Sequence, residues 1–151
     1  MTFDPARFSD KLAREMPDAV IYADGEGIIQ FWNYGAERIF GYAEREALGQ
    51  SLDIIVPENL RQRHWMGYQK TMRTGETRYG ASDLLAVPAI GKDGSRISVE
   101  FTIPPFRDDA GRMVGIAAVL RDVTRRFEEM KQLRTEISAL KKASGASQQS
   151  E

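Results

Sequence analysis

The segment 96–103 alternates polar and apolar side chains without exception. Its apolar positions are Ile97, Val99, Phe101 and Ile103. Because successive side chains of a β-strand point to opposite faces, this period predicts a strand with one buried and one wet face. Such strands are typical of antiparallel sheets that are covered on one side only. The rest of the chain must therefore supply partner strands and a cover for the apolar face.

Three further regions favour β-structure. Apolar runs at 19–23 and 28–32 flank a glycine-containing tetrapeptide, which predicts a hairpin. Residues 84–90 form an apolar run interrupted by Pro88, and since proline cannot donate to a sheet ladder, we predict an irregular or edge strand. Residues 113–120 form another strand, and the small residues at its middle leave space above the sheet.

Helical periodicity fills the remaining segments, with prolines at the starts and glycines after the ends. The predicted helices span 3–16, 34–40, 44–48, 57–74 and the region from Thr124 onwards. This order predicts an α+β fold, in which helices pack over one face of an antiparallel sheet. The chain then divides into an N-terminal amphipathic helix at 1–17, a globular domain at 18–124, a helix at 125–142 and a disordered tail at 143–151.

The helix at 57–74 carries the only histidine of the chain. One stripe of this helix consists of Leu60, His64, Tyr68 and Met72, whereas Arg63, Gln69, Lys70 and Arg73 turn away. A lone imidazole therefore lies on an apolar face, among aromatic and thioether neighbours. It is either a partly buried histidine bonded to the backbone or to a carboxylate, or a group with a chemical role.

Composition excludes several classes of function. The absence of cysteine removes disulfides, thiolate metal sites, thiol catalysis and cysteinyl flavin adducts. A net charge of −1 leaves no basic surplus for nucleic-acid phosphates. No secretion signal and no run of about 18 apolar residues occurs, so we expect a cytoplasmic protein without a membrane role. With one histidine and no clustered nucleophile, we expect no enzyme activity.

Several short motifs stand in the order and spacing of a PAS domain. They are Ala36 to Tyr42, Leu48-Gly49-Gln50, Ile55 to Glu58, Thr74-Gly75-Glu76, Lys92-Asp93-Gly94 and Val119 to Thr124. Because these motifs agree independently over residues 10–124, the chain resembles the PAS family. The resemblance implies a five-stranded antiparallel sheet that holds a cavity beneath its helices. Within the family, the chain is similar to the haem-binding PAS domains of FixL- and Dos-type gas sensors.

Those domains carry the axial histidine in the corresponding helix, and His64 stands in the matching place. The resemblance therefore implies haem b, with His64 as iron ligand and a diatomic gas or redox state as signal. Lys70 replaces an arginine of the FixL type and is predicted to face a haem propionate. The distal arginine that binds oxygen falls at Leu84 or Leu85, which lack a donor. We therefore predict a preference for carbon monoxide or nitric oxide over oxygen.

The predicted ligand pocket combines this helix with the sheet. Its candidate residues are His64, Trp65, Tyr68, Lys70, Leu84, Leu85, Val99, Phe101, Ile116 and Val119. Neither Met66, which points away, nor Met72, two turns further along, is expected to be a second axial ligand. The alternative is a core filled by its own side chains, in a cofactor-free PAS module for protein interaction or dimerisation. A small organic ligand or a flavin is a further alternative.

The C-terminal helix shows a narrow apolar seam. It consists of Val123, Met130, Leu133, Ile137 and Leu140, at seven-residue and three- or four-residue spacing. Together with Phe8 and Leu12 of the N-terminal helix, the seam predicts a homodimer. The alternative is a helix that lies across its own domain. Because no kinase, phosphodiesterase or DNA-binding segment follows in the sequence, we expect the dimer or an in-trans kinase or regulator to carry the signal.

Overall fold

The computed structural model describes residues 2–76, 85–104 and 106–149. Five strands form one antiparallel sheet in the order β2-β1-β5-β4-β3. Their bounds are Ala19–Asp24 (β1), Ile29–Trp32 (β2), Leu85–Ile90 (β3), Arg96–Thr102 (β4) and Gly115–Asp122 (β5). The predicted α+β fold with a five-stranded antiparallel sheet is therefore confirmed.

The strand positions follow from local sequence. Pro88 lies in β3, opposite Ser98 of β4. β3 is an edge strand, as predicted, so the missing amide donor of the proline affects only the ladder with β4. In β4, Ile97 and Val99 are buried, as the alternation requires. β5 begins two residues later than predicted because Met113 belongs to the preceding hairpin, where it bridges to Arg107.

Besides this sheet, the described residues form five α-helices and two 3₁₀ turns. The helices are Pro5–Glu15 (α1), Tyr34–Phe40 (α2), Glu44–Ala47 (α3), Arg61–Thr74 (α4) and Thr124–Gln149 (α5), and the turns are Leu52–Ile55 and Glu58–Leu60. Asn33 caps α2, and Gly41 ends it in the left-handed region, as the sequence predicts. The buried core joins the sheet to α2, α3 and the first 3₁₀ turn, and its largest fully buried side chains are Trp32, Phe40, Ile29 and Val99.

The helix predicted from Pro57 begins instead at Arg61. Pro57 is extended, and the Leu60 amide donates to its carbonyl at 2.9 Å, which closes a 3₁₀ turn. The Arg61 side chain then donates to the Val56 carbonyl at 3.1 Å. The end at Gly75, with φ of 71°, agrees with the prediction.

Helix α5 is joined firmly to the sheet at its start and is exposed beyond it. The Val123 amide donates to the Ser98 carbonyl at 2.8 Å, and the Ser98 amide donates to Thr124 Oγ1 at 3.0 Å. The helix continues to Gln149, whereas the sequence predicted a disordered tail from residue 143. None of the described helices is long and apolar enough to cross a membrane.

Candidate functional site

A cavity of about 550 Å³ lies between the sheet and α4. The side chains that the sheet turns toward this cavity are all apolar, because alternate residues of a strand point to the same side of the sheet. They include Ile21 and Ala23 of β1, Val99 and Phe101 of β4, and Ile116, Ala118 and Leu120 of β5. Ala23, Ala118 and Ile116 lie on paired central strands, where the two alanines leave room for the cavity. The predicted space above the sheet therefore lies here.

Helix α4 forms the opposite wall. Its lining residues are Arg63, His64, Gly67, Tyr68 and Thr71, which follow the four-residue spacing of one helix face. A Cβ atom added at Gly67 would meet no atom within 4 Å, so the helix wall is open at this point. The polar groups of the described lining are thus all on one helix, facing an apolar sheet.

His64 is half-buried in this wall. Its Nδ1 atom is buried and has no hydrogen-bond partner among the described residues. The imidazole centroid lies 4.8 Å from that of the Trp65 ring and 5.9 Å from that of Tyr68. Burial lowers the pKa of His64 below its ordinary value, and the charge of Asp53 opposes this shift only in part. Burial thus favours the neutral form of the imidazole, and the described residues leave its Nδ1 without a hydrogen-bond partner.

Tyr68 is buried, and its hydroxyl is bonded to the backbone. The hydroxyl donates to the carbonyl of Asp24 and also lies 3.4 Å from that of Ala23. Burial raises the pKa of Tyr68 far above its ordinary value, so the phenol stays protonated. These bonds hold α4 against the end of β1, and they leave the ring, not the hydroxyl, to face a ligand.

Three predicted pocket residues do not line the cavity. Trp65 packs against Gly27 and donates from its indole nitrogen to Asp53 Oδ1 at 2.7 Å, so it fixes the helix from outside. Lys70 is exposed on the outer side of α4. Val119 pairs with Val20 and alternates with the lining residues of β5, which places it on the other face of the sheet.

Of the other predicted pocket residues, five line the cavity and two lie where the structure does not describe the side chain. His64, Tyr68, Val99, Phe101 and Ile116 all line the cavity. Leu84 and the side chain of Leu85 lie outside the described residues.

The sequence reasoning missed Arg63, Gly67 and Thr71. It assigned Arg63 to the outer face because it drew the apolar stripe through Leu60, His64, Tyr68 and Met72. In the structure, the Met72 methyl group lies close to Gly25 and does not line the cavity. The signal available was the four-residue repeat of Arg63, Gly67 and Thr71, in which a glycine marks a close approach or an open space.

Comparison with known proteins points to one family. The sequence model of a family described as PAS fold matches residues 13–128. Sensor protein FixL of Bradyrhizobium diazoefficiens is 53% identical over 49 residues, which are 32% of this chain and 10% of FixL. The oxygen sensor protein DosP of Escherichia coli is 28% identical over 134 residues, which are 88% of this chain and 16% of DosP. The chain thus spans a small part of each relative.

A solved structure agrees with this match. The crystal structure of the PAS domain of a Colwellia psychrerythraea protein is similar to the chain, with a TM-score of 0.70 at 22% sequence identity. The alignment covers 81% of this chain and 99% of that domain. The two chains therefore share their fold.

Proposed function

The chain belongs to the PAS family, and we propose that it is a sensory PAS domain that binds haem b through His64. The observation that carries this proposal is that His64 lines a 550 Å³ cavity and that its buried Nδ1 has no hydrogen-bond partner among the described residues. A buried polar atom without a partner costs about 1–3 kcal/mol. A ligand atom that bonds to Nδ1 would remove that cost.

The protonation state of His64 suits the proposed ligation. Haem iron in many proteins is held by a neutral imidazole, and burial keeps the His64 pKa below its ordinary value. When bound, haem supplies an iron centre that takes up a diatomic gas or changes redox state. The apolar sheet side, with Val99, Phe101 and Ile116, offers the dry surface that a porphyrin ring requires.

Arg63 is the residue that we propose for the haem propionates, in place of Lys70. It lines the cavity next to His64 and is exposed, so its side chain borders both the cavity and water. A guanidinium matches a carboxylate with two parallel hydrogen bonds, which an ammonium group does not. Thr71, two turns along the same face, adds a hydroxyl at this polar side of the cavity.

The described lining also bears on which gas is sensed. Across from α4, the described residues of the sheet present no side-chain hydrogen-bond donor to the cavity. A bound oxygen molecule is polarised and gains from such a donor, whereas carbon monoxide depends on it less. This supports the prediction that the domain prefers carbon monoxide or nitric oxide.

We propose that β5 carries the signal from the cavity to α5. Ile116, Ala118 and Leu120 line the cavity, and the same strand leads through Asp122 into the helix. Asp122 Oδ1 accepts hydrogen bonds from Thr124, and Thr124 accepts one from Ser98. A ligand that fits one position of β5 better than another would therefore shift the start of α5. The readout is a homodimer or an in-trans kinase or regulator.

The test is an absorption spectrum of the purified protein after haem supplementation. We expect one haem per chain and a Soret band, both strongly reduced in His64→Ala. Met66→Ala is the matched control, because Met66 lies on the same helix but is 66% exposed. It should bind haem as the native protein does. A haem spectrum unchanged by His64→Ala would exclude His64 as the iron ligand.

The second candidate is a small organic ligand in the same cavity. Arg63 and Thr71 beside an apolar sheet would suit a molecule with one acidic and one apolar end. A flavin is less favoured, because its ring edge needs donors and acceptors that the described sheet residues do not offer. A colourless protein after haem supplementation would favour this candidate or a cofactor-free interaction domain. Mass spectrometry of the native protein then separates the two.

A further inference from the structure

Helix α5 extends from the domain with its apolar seam uncovered. Met130, Leu133, Ile137 and Leu140 are between 48% and 71% exposed. The helix has 26 residues and is thus about 39 Å long, and its contacts with its own domain are concentrated at its start, against β4. A long exposed seam of this kind is stable only when another surface covers it.

The seam has the spacing of a coiled coil. With Val123 placed at heptad position a, Met130 and Ile137 also occupy position a, and Leu133 and Leu140 occupy position d. This gives two consecutive apolar heptads, from residue 130 to residue 143. In the first heptad, Arg126 at position d interrupts the seam.

Beside the seam, acidic and basic residues occupy different heptad positions. Glu129 and Glu136 occupy position g, whereas Arg134 and Lys141 occupy position e. In a parallel, in-register pair, each g residue faces the e residue of the following heptad on the other helix. Glu129 then faces the partner's Arg134, and Glu136 faces the partner's Lys141. By twofold symmetry, all four contacts are attractive.

An antiparallel pair would reverse this result. In that arrangement g residues face g residues and e residues face e residues. Glutamates would then meet glutamates, and the two basic residues would meet each other. In the single chain, Glu129 pairs with Arg125 at 3.1 Å, but both side chains are largely exposed, so this pair is weak and Glu129 can exchange partners.

We propose that α5 binds α5 of a second copy of this chain in parallel and in register, with orientation specified by these e and g charges. This inference rests on the self-association in the proposed function and is independent of haem. Because Ser98 bonds hold the start of each α5 to its sheet, the pairing places both sensory domains at the same end of the coiled coil. A shift of β5 in either domain then reaches one shared structure.

Disulfide cross-linking tests the orientation, and the cysteine-free chain gives a clean background. Ser144 lies at position a, and Ala139 lies on the outer side at position c. In the parallel pair, Ser144→Cys places two thiols together, so mild oxidation should produce a covalent dimer at least tenfold faster than for Ala139→Cys. Equal rates for the two variants in a protein of dimer mass would overturn the parallel arrangement alone. A monomer mass by light scattering would overturn self-association itself.

Charge reversal tests what specifies the orientation. Glu129→Lys with Glu136→Lys makes every g to e contact repulsive in the parallel pair, so we expect dimerisation at least tenfold weaker. Adding Arg134→Glu and Lys141→Glu to the same chain makes the contacts attractive again and should restore it. Glu128→Lys, at the outer position f, is the control and should change little. Circular dichroism shows whether each variant keeps its helix. Equal dimerisation in all of these variants would overturn the assignment.

Discussion

The indole nitrogen of Trp65 donates a 2.7 Å hydrogen bond to Oδ1 of Asp53. The indole also packs so closely on Gly27 that a side chain at that glycine would overlap it. Trp65 therefore joins α4 to a 3₁₀ turn and to the β1–β2 turn. Because successive helical residues differ by about 100°, fixing Trp65 on the outside sets the rotation that turns His64 toward the cavity.

Replacement of Trp65 should therefore loosen the helix that carries His64. Trp65→Phe removes the donor and part of the packing, and it leaves the Asp53 carboxylate without this partner. We expect the free energy of unfolding to fall by about 1–2 kcal/mol, measured by urea denaturation. Met66→Ala, next along the helix but exposed, should change it by less than about 0.5 kcal/mol. A Trp65→Phe protein as stable as the native one would show that this bond does not hold α4.

Acidification should destabilise the domain through His64. Burial lowers the folded-state pKa below 6.5, so the unfolded chain takes up the proton first as the pH falls. The stability contributed by the neutral imidazole is full above about pH 6.5 and is lost as the pH falls below it. Between about pH 7.5 and 5.5, the native protein without ligand should lose more stability than His64→Gln. Equal losses in urea denaturation would contradict this.

Local sequence patterns predicted where helices and strands lie in the chain better than they predicted which side chains face the cavity. Strict alternation identified β4, and the glycine after Thr74 identified the end of α4. The same patterns failed for Arg63, because periodicity groups residues into faces but does not state which face meets the cavity. Lys70 lies on the outward face that periodicity gave it, and only the family resemblance had placed it near a propionate. That choice depends on contacts with distant residues, here from Trp65 to Asp53 and from Tyr68 to the end of β1.

Strand register limited the prediction in a similar way. Val119 and Ile116 both belong to an apolar run, in which hydrophobicity alone does not separate the two faces. The pairing of β5 with β1 places Ile116 opposite Ala23, on the cavity side, and Val119 opposite Val20, on the other side. A shift of one residue would exchange the faces, and only the folded sheet fixes it.

Replacing two glycines by alanine should separate the effect of helix propensity on stability from the effect of backbone strain. At both Gly67 and Gly49, an added Cβ would meet no atom within 4 Å. Gly67 lies inside α4, so Gly67→Ala should raise the free energy of unfolding by about 0.5–1 kcal/mol. Gly49 has a φ of 83°, so Gly49→Ala should lower it by about 1 kcal/mol. Thermal unfolding of the two variants should show shifts of opposite sign, and shifts of the same sign would contradict the assigned backbone conformations.

A larger side chain at Gly67 should close the cavity without unfolding the domain. Leucine at this position would enter the open space beside His64 and Thr71. We expect Gly67→Leu to fold, by circular dichroism, and to take up much less haem than Gly67→Ala in the same supplementation experiment. Equal uptake by the two variants would show that the ligand binds elsewhere.

Asn33 should be the most sensitive polar residue of the fold, since it is 3% exposed and joins three elements. Its side-chain oxygen accepts from the amides of Val20 and Ala36, and its side-chain nitrogen donates to the carbonyls of Ala13 and Asp18 at 2.9 Å. Asn33→Ala leaves several buried groups without partners and should lower the free energy of unfolding by about 3 kcal/mol.

A charge variant separates the two halves of the Asn33 side chain. Asn33→Asp keeps the oxygen that caps α2 but places a carboxylate against the carbonyls at the end of α1. We expect amide hydrogen exchange in α1 to rise more than in α2, because only the donor side is lost. The exposed Asn59, which accepts a single bond from Arg96, is the control, and Asn59→Ala should change neither helix. Loss of the donor bonds alone frees only the end of α1. An equal rise of amide hydrogen exchange in α1 and α2 for Asn33→Asp would therefore contradict this, and Asn33 would act through general packing.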